Sequence, residues 1–313
     1  MNSSTSSFRT ELKVLGLVLL VVACAEAFFP LMGTRFSRDL KEIDVLDQKL
    51  RAGCATQDCS AVILGNSLTL HGFDQKKILA AGPDGFCKPV QFTFVIFQGA
   101  FMTETLRIYK HYINPMDKPP RLLIIPFAQN GLADQSGVEI ERMVYHCNLS
   151  ELHEVIRNEI GLGQLGGFLH CFFNRAFANR LRVRQFVFER LLPDYHDSEA
   201  RLSWANRLPL IRSRGKSDPT FDKLEQIFAL CSSRNIQIVL LAMPIQIAYD
   251  FRPEMIGLGE KYKVDLLDMR NTAGLDGSKY IDGTHMNTEG AHTFTSAFLD
   301  RFGKYLETRK FCN

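Results

Sequence analysis

Apolar runs alternate with helical patterns along most of the chain after about residue 53. Five of the runs are short, continuous and rich in β-branched residues, as expected of strands that are covered on both faces of a parallel sheet. They lie at Ser60–Leu64, Val90–Phe97, Arg121–Phe127, Ile236–Ala242 and Val264–Asp268. Helical patterns between and after them cover about 103–113, 220–233 and 288–306. This order predicts one doubly wound α/β domain whose active site lies beyond the carboxyl ends of the strands.

The interval from about residue 137 to 218 breaks this order, because it carries helical patterns and no convincing strand. It is too long for an ordinary loop and therefore predicts an inserted helical subdomain. Residues 161–166 read GLGQLG, which matches the GxGxxG string of dinucleotide-binding folds. That string requires a preceding strand, and here a helical pattern precedes it. We interpret it as a connection between helices and predict no cofactor.

The same interval contains a stretch rich in phenylalanine and arginine. Residues 171–190 hold five arginines, five phenylalanines and one acidic residue. Helical spacing gives the stretch an aromatic face and a basic face. Burial of the phenylalanines with the arginines in solvent explains this pattern. Contact with anionic lipid, an anionic polymer or a membrane partner explains it as well.

A dense apolar run lies near the N-terminus, from Val14 to Met32, with Glu26 as its one carboxylate. Its length of about 19 residues is just enough to cross a bilayer, so a single spanning anchor is the first interpretation. A lipoprotein signal is the second, because residues 21–24, VVAC, fit the small-residue pattern before a lipidated cysteine. A cleaved signal or a buried helix is the third. We expect an anchor or signal with a linker over 1–52, and the α/β domain with its insertion over 53–313.

Composition and cysteine spacing limit the kinds of partner and the cellular compartment that we expect for this protein. Of the 313 residues, 46% are hydrophobic and 23% are charged, which is typical of folded globular proteins. The formal net charge is +3 without a basic tail, so we do not expect a nucleic-acid partner. The cysteines after residue 24 show no zinc-ligand spacing, and no metal site is predicted. Cys54 with Cys59 and Cys147 with Cys171 are candidate disulfides of an exported protein, and buried free thiols are the alternative.

Two blocks at opposite ends of the domain carry candidate catalytic residues. The first strand runs into residues 65–68, GNSL, so Ser67 lies at a strand-to-helix turn at the carboxyl edge of the sheet. Backbone N–H groups at such a turn stabilise a developing oxyanion. Residues 280–290 place Asp282 three positions before His285, ahead of the last helix. A serine nucleophile needs an adjacent base, and the imidazole needs an acceptor on its other nitrogen, so these three residues can form a triad.

Each of these residues also has a purely structural interpretation. Ser67 can be a helix N-cap, and Asp282 can be a loop acid that caps a turn. His71 competes with His285 as the base, but its position four residues after Ser67 in a helix favours a site-lining role. The other histidines show no ligand spacing and are interpreted as structural or solvated: His111, His146, His153, His170, His196 and His292. The two blocks together favour the catalytic interpretation.

With these blocks in this order, the chain resembles the SGNH/GDSL hydrolase superfamily. Ser67 matches the nucleophile of the family's first block, and Asp282 and His285 match its final DxxH block. The resemblance implies a flavodoxin-like three-layer α/β fold with a central parallel sheet. It also implies an oxyanion hole, for which Gly99 after the second strand and Asn130 after the third are the best matches.

The sequence departs from the family pattern in two places. Asn66 stands where the first block usually has aspartate, and the GxND third block is absent. Gln129 is therefore a second candidate for the side-chain donor of the oxyanion hole.

The apolar run, the SGNH-like domain and the helical insertion together resemble the membrane-anchored branch of the superfamily. That branch includes alginate O-acetylation proteins and the protein that works with a membrane acyltransferase in teichoic-acid D-alanylation. The resemblance implies a serine O-acyltransferase, attached to the cell membrane with its catalytic domain on the periplasmic or extracytoplasmic side. It would take an acyl donor and act on a cell-envelope polysaccharide.

Two alternatives stay open for this function. One is an esterase or deacetylase that uses water as the acceptor. The other is a non-catalytic scaffold that docks a membrane-bound O-acyltransferase partner through Arg180, Arg182 and Arg184.

Overall fold

The computed structural model describes residues 4–32, 37–55, 59–82, 86, 89–134, 139–192 and 219–309. The chain divides into two compact units. One comprises Met1–Asp44 and Ile140–Ser217, and the other comprises Val45–Glu139 and Asp218–Asn313. The last part of the expected insertion, 193–218, lies outside the described residues, as do Cys87, His196 and Cys312.

The strands and helices have the following bounds. The strands are β1 Ser60–Gly65, β2 Gln91–Ile96, β3 Leu122–Phe127, β4 Gln237–Ala242 and β5 Asp265–Asp268. The α-helices are α1 Ser4–Met32, α2 Arg38–Ala55, α3 Ser67–Gly72, α4 Gln75–Ala81, α5 Met102–Ile108, α6 Ile140–Met143, α7 Leu152–Asn158, α8 Leu165–Phe173, α9 Arg175–Leu191, α10 Asp222–Ser233, α11 Pro253–Tyr262 and α12 Thr288–Arg309. A π-helical turn at Tyr109–Ile113 extends α5, and 3₁₀ turns lie at Val144–His146, Leu162–Gln164 and Gly277–Lys279.

The five strands form one parallel sheet in the order β2-β1-β3-β4-β5. The predicted strands are confirmed, and so is the doubly wound α/β class. This is the flavodoxin-like order, in which the chain moves to one side of β1 for β2 and to the other side for β3. The loops after β1 and β3 therefore diverge at the carboxyl edge. Ligands of such folds bind at this point of the sheet, and Ser67 follows β1 there.

Helices cover both faces of the sheet, which explains why the strand runs are continuously apolar. On one face α12 packs against α3 and α4 over a core rich in phenylalanine. On the other face α10 packs against β4, α5 and α11. Side chains on both faces of a strand are buried. Ile63 and Leu64, which are neighbours in β1 and point to opposite faces, are 0% and 2% exposed. Parallel strands inside a three-layer fold require this pattern.

Helix α2 occupies the second half of the segment that we interpreted as anchor and linker. Its residues Leu46 and Leu50 are buried in the α/β unit. Gly53 lies so close to Thr93 in β2 that a Cβ atom at this position would overlap the threonine hydroxyl. The chain is therefore anchored to the sheet edge before β1 begins.

The carboxylate in the N-terminal apolar run has a structural role. In the unit that contains α1 and α9, both oxygens of Glu26 accept hydrogen bonds from the first turn of α9. The backbone N–H groups of Arg175 and Ala176 donate these bonds at 2.7 and 3.0 Å. A carboxylate at a helix N-terminus satisfies free N–H groups and interacts favourably with the helix dipole.

The apolar run itself forms α1, for which we expected a membrane-spanning anchor. Leu17 and Val21 on this helix are about 60% exposed. Over the residues that the structure describes, no helix is long and apolar enough to cross a membrane. The predicted transmembrane helix is not found.

Both candidate disulfides are wrong. Cys54, Cys147 and Cys171 are buried thiols that form no disulfide, and Cys59 is disulfide-bonded but not to Cys54. Cys54 belongs to α2 and its thiol contacts Ser60, and burial raises the pKa of this thiol. These cysteines fill apolar space as small side chains, which was the alternative interpretation.

The two other patterns in the insertion also have structural explanations. The GxGxxG string joins α7 to α8 and includes a 3₁₀ turn, so it follows a helix as we interpreted. In the Phe/Arg stretch, Arg180 lies over the ring of Phe177 at 3.8 Å and pairs with Glu141 at 2.9 Å. Arg182 donates to the backbone carbonyl oxygens of Ala178 and Glu141. Two of the three arginines of the docking hypothesis are therefore held within their own unit.

Candidate active site

The turn after β1 places Ser67 at the first position of α3. Asn66 is the N-cap of this helix, and its Oδ1 accepts a hydrogen bond from the Leu68 N–H at 3.0 Å. Asparagine is among the best N-cap residues, so it replaces aspartate here without loss of the cap. Ser67 itself is therefore not the cap, and its hydroxyl is free for another role. Gly65 is required at the turn because a Cβ atom there would overlap the Thr69 hydroxyl.

A tight loop before α12 holds Asp282 and His285. An antiparallel bridge between Tyr280 and Met286 closes the loop, and the Ile281 N–H donates to the His285 carbonyl oxygen at 2.8 Å. Inside the loop, Oδ1 of Asp282 accepts hydrogen bonds from the backbone N–H groups of Thr284 and His285, at 2.8 and 2.7 Å. The carboxylate is thereby fixed relative to the histidine that follows it.

The structure brings Ser67, His285 and Asp282 into one hydrogen-bonded chain. His285 Nδ1 lies 2.8 Å from Asp282 Oδ2, and His285 Nε2 lies 2.9 Å from Ser67 Oγ. An ionised carboxylate only accepts hydrogen bonds, so Nδ1 carries the proton in the neutral ring and Nε2 accepts from the serine hydroxyl. This is the geometry of a nucleophile, a general base and an orienting acid.

The loop keeps Asp282 ionised. Burial by itself raises the pKa of Asp282, but hydrogen bonds from the His285 ring and from the backbone N–H groups of His285 and Thr284 outweigh burial and lower the pKa to about 2. The side chains of His285 and Asp282 are 20% and 27% exposed, so water screens their interaction only in part. The carboxylate can therefore stabilise an imidazolium during a reaction.

The oxyanion candidates lie at the expected edge of the sheet but are not hydrogen-bonded to the triad. Gly99 has φ +68°, which glycine adopts without strain, and it follows β2 in a turn. Asn130 follows β3, and its Oδ1 accepts a hydrogen bond from Arg252 Nε at 3.3 Å. Gln129 is exposed and adopts a positive φ of 49°. Since β2 and β3 flank β1, both loops border the turn of Ser67.

The competing histidine lies next to the triad. The His71 ring centroid lies 5.1 Å from that of His285 with the planes tilted by 60°, as a residue that lines the site would be. Of the two candidate bases, His285 is the one that contacts the Ser67 hydroxyl, through its Nε2 atom. The residues that the structure describes contain no group of three or more histidine, cysteine or acidic side chains that could hold a metal ion.

Three residues that support the loop were missed by the sequence analysis. Gln246, after β4, donates from its backbone N–H to the Gly283 carbonyl oxygen at 3.0 Å and from Nε2 to the Gly277 carbonyl oxygen at 3.1 Å. Asn287 donates to the Ser278 carbonyl oxygen and accepts from the Gly290 N–H. Asn287 and Gly290 lie within the segment 280–290 that the sequence analysis singled out, but only their contacts reveal their roles.

Replacing Gly290 by alanine should lower activity at the triad. A Cβ atom at this position would overlap the Lys279 carbonyl oxygen and would lie 3.1 Å from Lys279 Cβ. The backbone must then shift in the loop that holds Asp282 and His285, and small displacements of a catalytic group are costly. We expect kcat/KM for a small acetyl ester to fall at least ~10-fold.

A second glycine-to-alanine change provides the control for this measurement. Gly257 lies in α11, where an added Cβ would meet no atom within 4 Å. Alanine there should leave activity unchanged and add ~0.5–1 kcal/mol of helix stability. Equal kcat/KM values for the wild type and both variants would show that the Lys279 contact does not position the loop.

Comparison with known proteins finds solved structures of similar fold at low sequence identity. No protein-family model matches the chain, and no curated protein sequence matches it significantly. Among solved structures, the esterase EstA from Pseudoalteromonas sp. is 13% identical with a TM-score of 0.40, over 79% of this chain and 98% of that chain. The lipase/acylhydrolase from Enterococcus faecalis is 11% identical with a TM-score of 0.37, over 80% and 96%.

A third structure, the SGNH-hydrolase family esterase AlinE4, is 15% identical with a TM-score of 0.34, over 80% of this chain and 97% of that chain. At these identities and scores the likenesses add nothing to the α/β fold already described. The chemistry of the site has to be inferred from its own residues.

Proposed function

We propose that this protein is a serine acyl-ester enzyme of the SGNH type. The observation that carries the proposal is the hydrogen-bonded chain from Ser67 Oγ through His285 to Asp282. A serine hydroxyl is a weak nucleophile until a base removes its proton, and a base held by an ionised acid is the arrangement that activates it. Carboxylic esters are the substrates that such a group attacks with an alcohol as leaving group.

The first half-reaction forms an acyl-enzyme. Ser67 Oγ attacks the ester carbonyl carbon while its proton passes to His285 Nε2, and Asp282 stabilises the imidazolium. The negative charge moves to the carbonyl oxygen of the tetrahedral intermediate. The Ser67 backbone N–H is a donor for this oxygen, together with the Gly99 N–H and the Asn130 amide in our proposal. The intermediate then collapses, the C–O bond to the alcohol breaks, and His285 returns the proton to the leaving alcohol.

The second half-reaction removes the acyl group. A hydroxyl group attacks the acyl carbon, His285 accepts its proton, and Ser67 Oγ leaves and recovers that proton. Water as the acceptor gives a carboxylic acid, and a sugar hydroxyl gives a new ester. The choice depends on how well the site binds an alcohol and excludes water.

For the acceptor we propose a sugar hydroxyl of a cell-envelope polysaccharide, with hydrolysis as the alternative. An open groove of several hundred cubic ångströms borders the loop that carries His285, which supports a polymeric substrate more than a small free ester. The disulfide at Cys59 supports an oxidising, extracytoplasmic compartment. Lipidation at the exposed Cys24 stays a prediction.

Product analysis tests this function directly. Purified protein is incubated with 4-nitrophenyl acetate, with and without a mixture of oligosaccharides, and nitrophenolate, acetate and acetylated sugar are each measured. We expect nitrophenolate release in both cases. Acetylated sugar would identify a transferase, whereas acetate alone would identify an esterase.

Absence of nitrophenolate release would contradict the acyl-ester proposal. It would favour the scaffold hypothesis, in which the fold docks a membrane-bound O-acyltransferase. In that case Arg184, which is exposed on α9, becomes the residue to test, because Arg180 and Arg182 already contact their own unit.

A further inference from the structure

Three hollows join into one groove along the carboxyl edge of β3, β4 and β5. We call it the strand-end groove; it is lined by residues of the segments 129–130, 244–253 and 270–280. The hollows have volumes of about 450, 430 and 380 Å³. Tyr249 and Asp250 line the first two, and Gln246 and Arg270 line the second and third. Because neighbouring hollows share lining residues, we treat the three as one groove.

The two ends of the strand-end groove lie on segments that neighbour the triad in the sheet or along the chain. Its first hollow includes Asn130, which follows β3, the neighbour of the strand that ends at Ser67. Its third hollow includes Gly277 and Tyr280, which begin the loop that holds His285. Gln246 lines the groove and also binds the backbone of that loop. A chain lying in the groove would therefore extend from the loop that precedes His285 to the loop after β3, the strand next to β1.

The charges of the groove cancel. Its lining includes two arginines, Arg252 and Arg270, and two aspartates, Asp250 and Asp276. Arg270 is further neutralised by Asp268, which it contacts at 2.9 Å. A polyanion would meet two carboxylates here and only one arginine that is not already paired with an acid in the described part of the chain. The groove is therefore suited to a neutral ligand.

The polar lining can still form many hydrogen bonds. The amide side chains of Gln129 and Asn271 are exposed and have no hydrogen-bond partner among the described residues. Amides both donate and accept, as sugar hydroxyl groups do. Uncharged amide groups of this kind distinguish between ligands by hydrogen-bond geometry rather than by charge.

Aromatic and apolar side chains alternate with these amides. The Arg270 guanidinium carbon lies over the Phe251 ring, 3.7 Å from its centroid, and Tyr280 lines the far hollow. Ile247 in the middle of the groove is 63% exposed. The C–H face of a sugar ring packs on such surfaces while its hydroxyl groups reach the amides. Amides, rings and cancelled charge together fit a chain of neutral sugars.

We propose that the strand-end groove binds a segment of neutral polysaccharide, whose hydroxyl group accepts the acyl group from Ser67. This inference rests on the proposed acyl-ester function and adds the substrate class. It separates neutral glycans from uronate polymers and other polyanions, which the lining does not favour.

The test measures binding of three neutral hexasaccharides, cellohexaose, xylohexaose and chitohexaose, and of oligogalacturonate to the purified full-length protein by calorimetry. We expect at least one neutral oligosaccharide to bind at least 10-fold more tightly than oligogalacturonate. The variant Ala248→Trp fills the middle hollow and should weaken that binding at least 10-fold. Leu79→Trp on α4, which is 49% exposed and outside the groove, should bind as the wild type does. Thermal unfolding of both variants checks that they are folded.

The outcomes separate this inference from the proposed function. Failure of all three neutral oligosaccharides to bind, preference for oligogalacturonate, or equal binding by folded Ala248→Trp would overturn the groove assignment. Each of these results is compatible with cleavage of 4-nitrophenyl acetate by the wild type. Binding of a neutral oligosaccharide without any ester cleavage would overturn the acyl-ester function and leave the groove as a glycan-binding site.

Discussion

Ser67→Ala should abolish cleavage of 4-nitrophenyl acetate. The substitution removes the only atom that can form the acyl-enzyme, and we expect kcat to fall at least ~10³-fold, as when a triad nucleophile is removed. Ser67 is half-buried at the first position of α3 and Asn66 caps that helix, so alanine should leave the fold intact. Initial rates and far-UV circular dichroism of the purified variant measure the two effects.

Labelling with a fluorophosphonate probe tests by a second method whether Ser67 is the nucleophile. The probe labels serines that a neighbouring base activates, and Ser67 should carry the label in the wild type and none in Ser67→Ala. Ser296→Ala is a matched control, because its hydroxyl accepts a bond from Lys77 and lies outside the triad. Labelling of another serine, or more than a tenth of the wild-type rate in Ser67→Ala, would show that Ser67 is not the nucleophile.

Asp282→Asn should leave the loop in place and still lower kcat by about 10³-fold or more, because the amide no longer fixes the histidine tautomer or stabilises the imidazolium. The amide oxygen can still accept the backbone bonds from Thr284 and His285. KM should change little, since the carboxylate faces the histidine and not the substrate. Steady-state kinetics with the same acetyl ester separate kcat from KM.

The same variant has a pH-dependent effect on stability. Hydrogen bonds lower the pKa of Asp282 from 3.8 to about 2 in the folded protein. Stability from this ionised group is therefore present above about pH 4 and is lost as the pH falls towards 2. It amounts to about 2 kcal/mol, so the difference in free energy of unfolding between wild type and variant should shrink over that range. Urea unfolding at pH 6, 4 and 3 measures it.

Asp300→Asn is the control for both measurements. Asp300 lies on the exposed face of α12 and pairs only with Lys304 one turn away. Its replacement should change neither kcat nor the pH dependence of stability noticeably, since exposed pairs contribute little. A wild-type-like kcat for Asp282→Asn would assign the carboxylate a structural role alone and would weaken the triad interpretation.

The α/β class and the position of each strand followed from the sequence because both depend on local composition. A parallel strand inside a three-layer fold is buried on both faces, and four of the five apolar runs met that requirement. The edge strand β5 buries only Leu267 of its four residues. Asp282 and His285 could also be paired from the sequence. They are only three positions apart in one loop, so the chain itself keeps them close to each other. The cap of α3 is a local feature too, but from the sequence we considered Ser67 for it, whereas Asn66 is the residue that caps the helix.

Other features depend on contacts between distant parts of the chain, which spacing along the sequence does not fix. The two disulfide predictions were wrong for this reason. Disulfide formation depends on the distance between two thiols in the folded protein and not on the number of residues between them. Glu26 read as a lone carboxylate in an apolar run until α9 provided the N–H groups that it caps. The strand-end groove has no sequence motif, because three separate loops form it.

What the sequence determined by itself is therefore the set of elements and the chemistry that each end of the α/β domain carries. Local apolar pattern, turn residues and the DxxH spacing are properties of neighbouring positions, and they survive without knowledge of the fold. Only the tertiary structure decided that Ser67 and His285, 218 positions apart, meet at 2.9 Å. Sheet order and the packing of α12 fix that distance, because they bring the loop after β5 back to the end of β1.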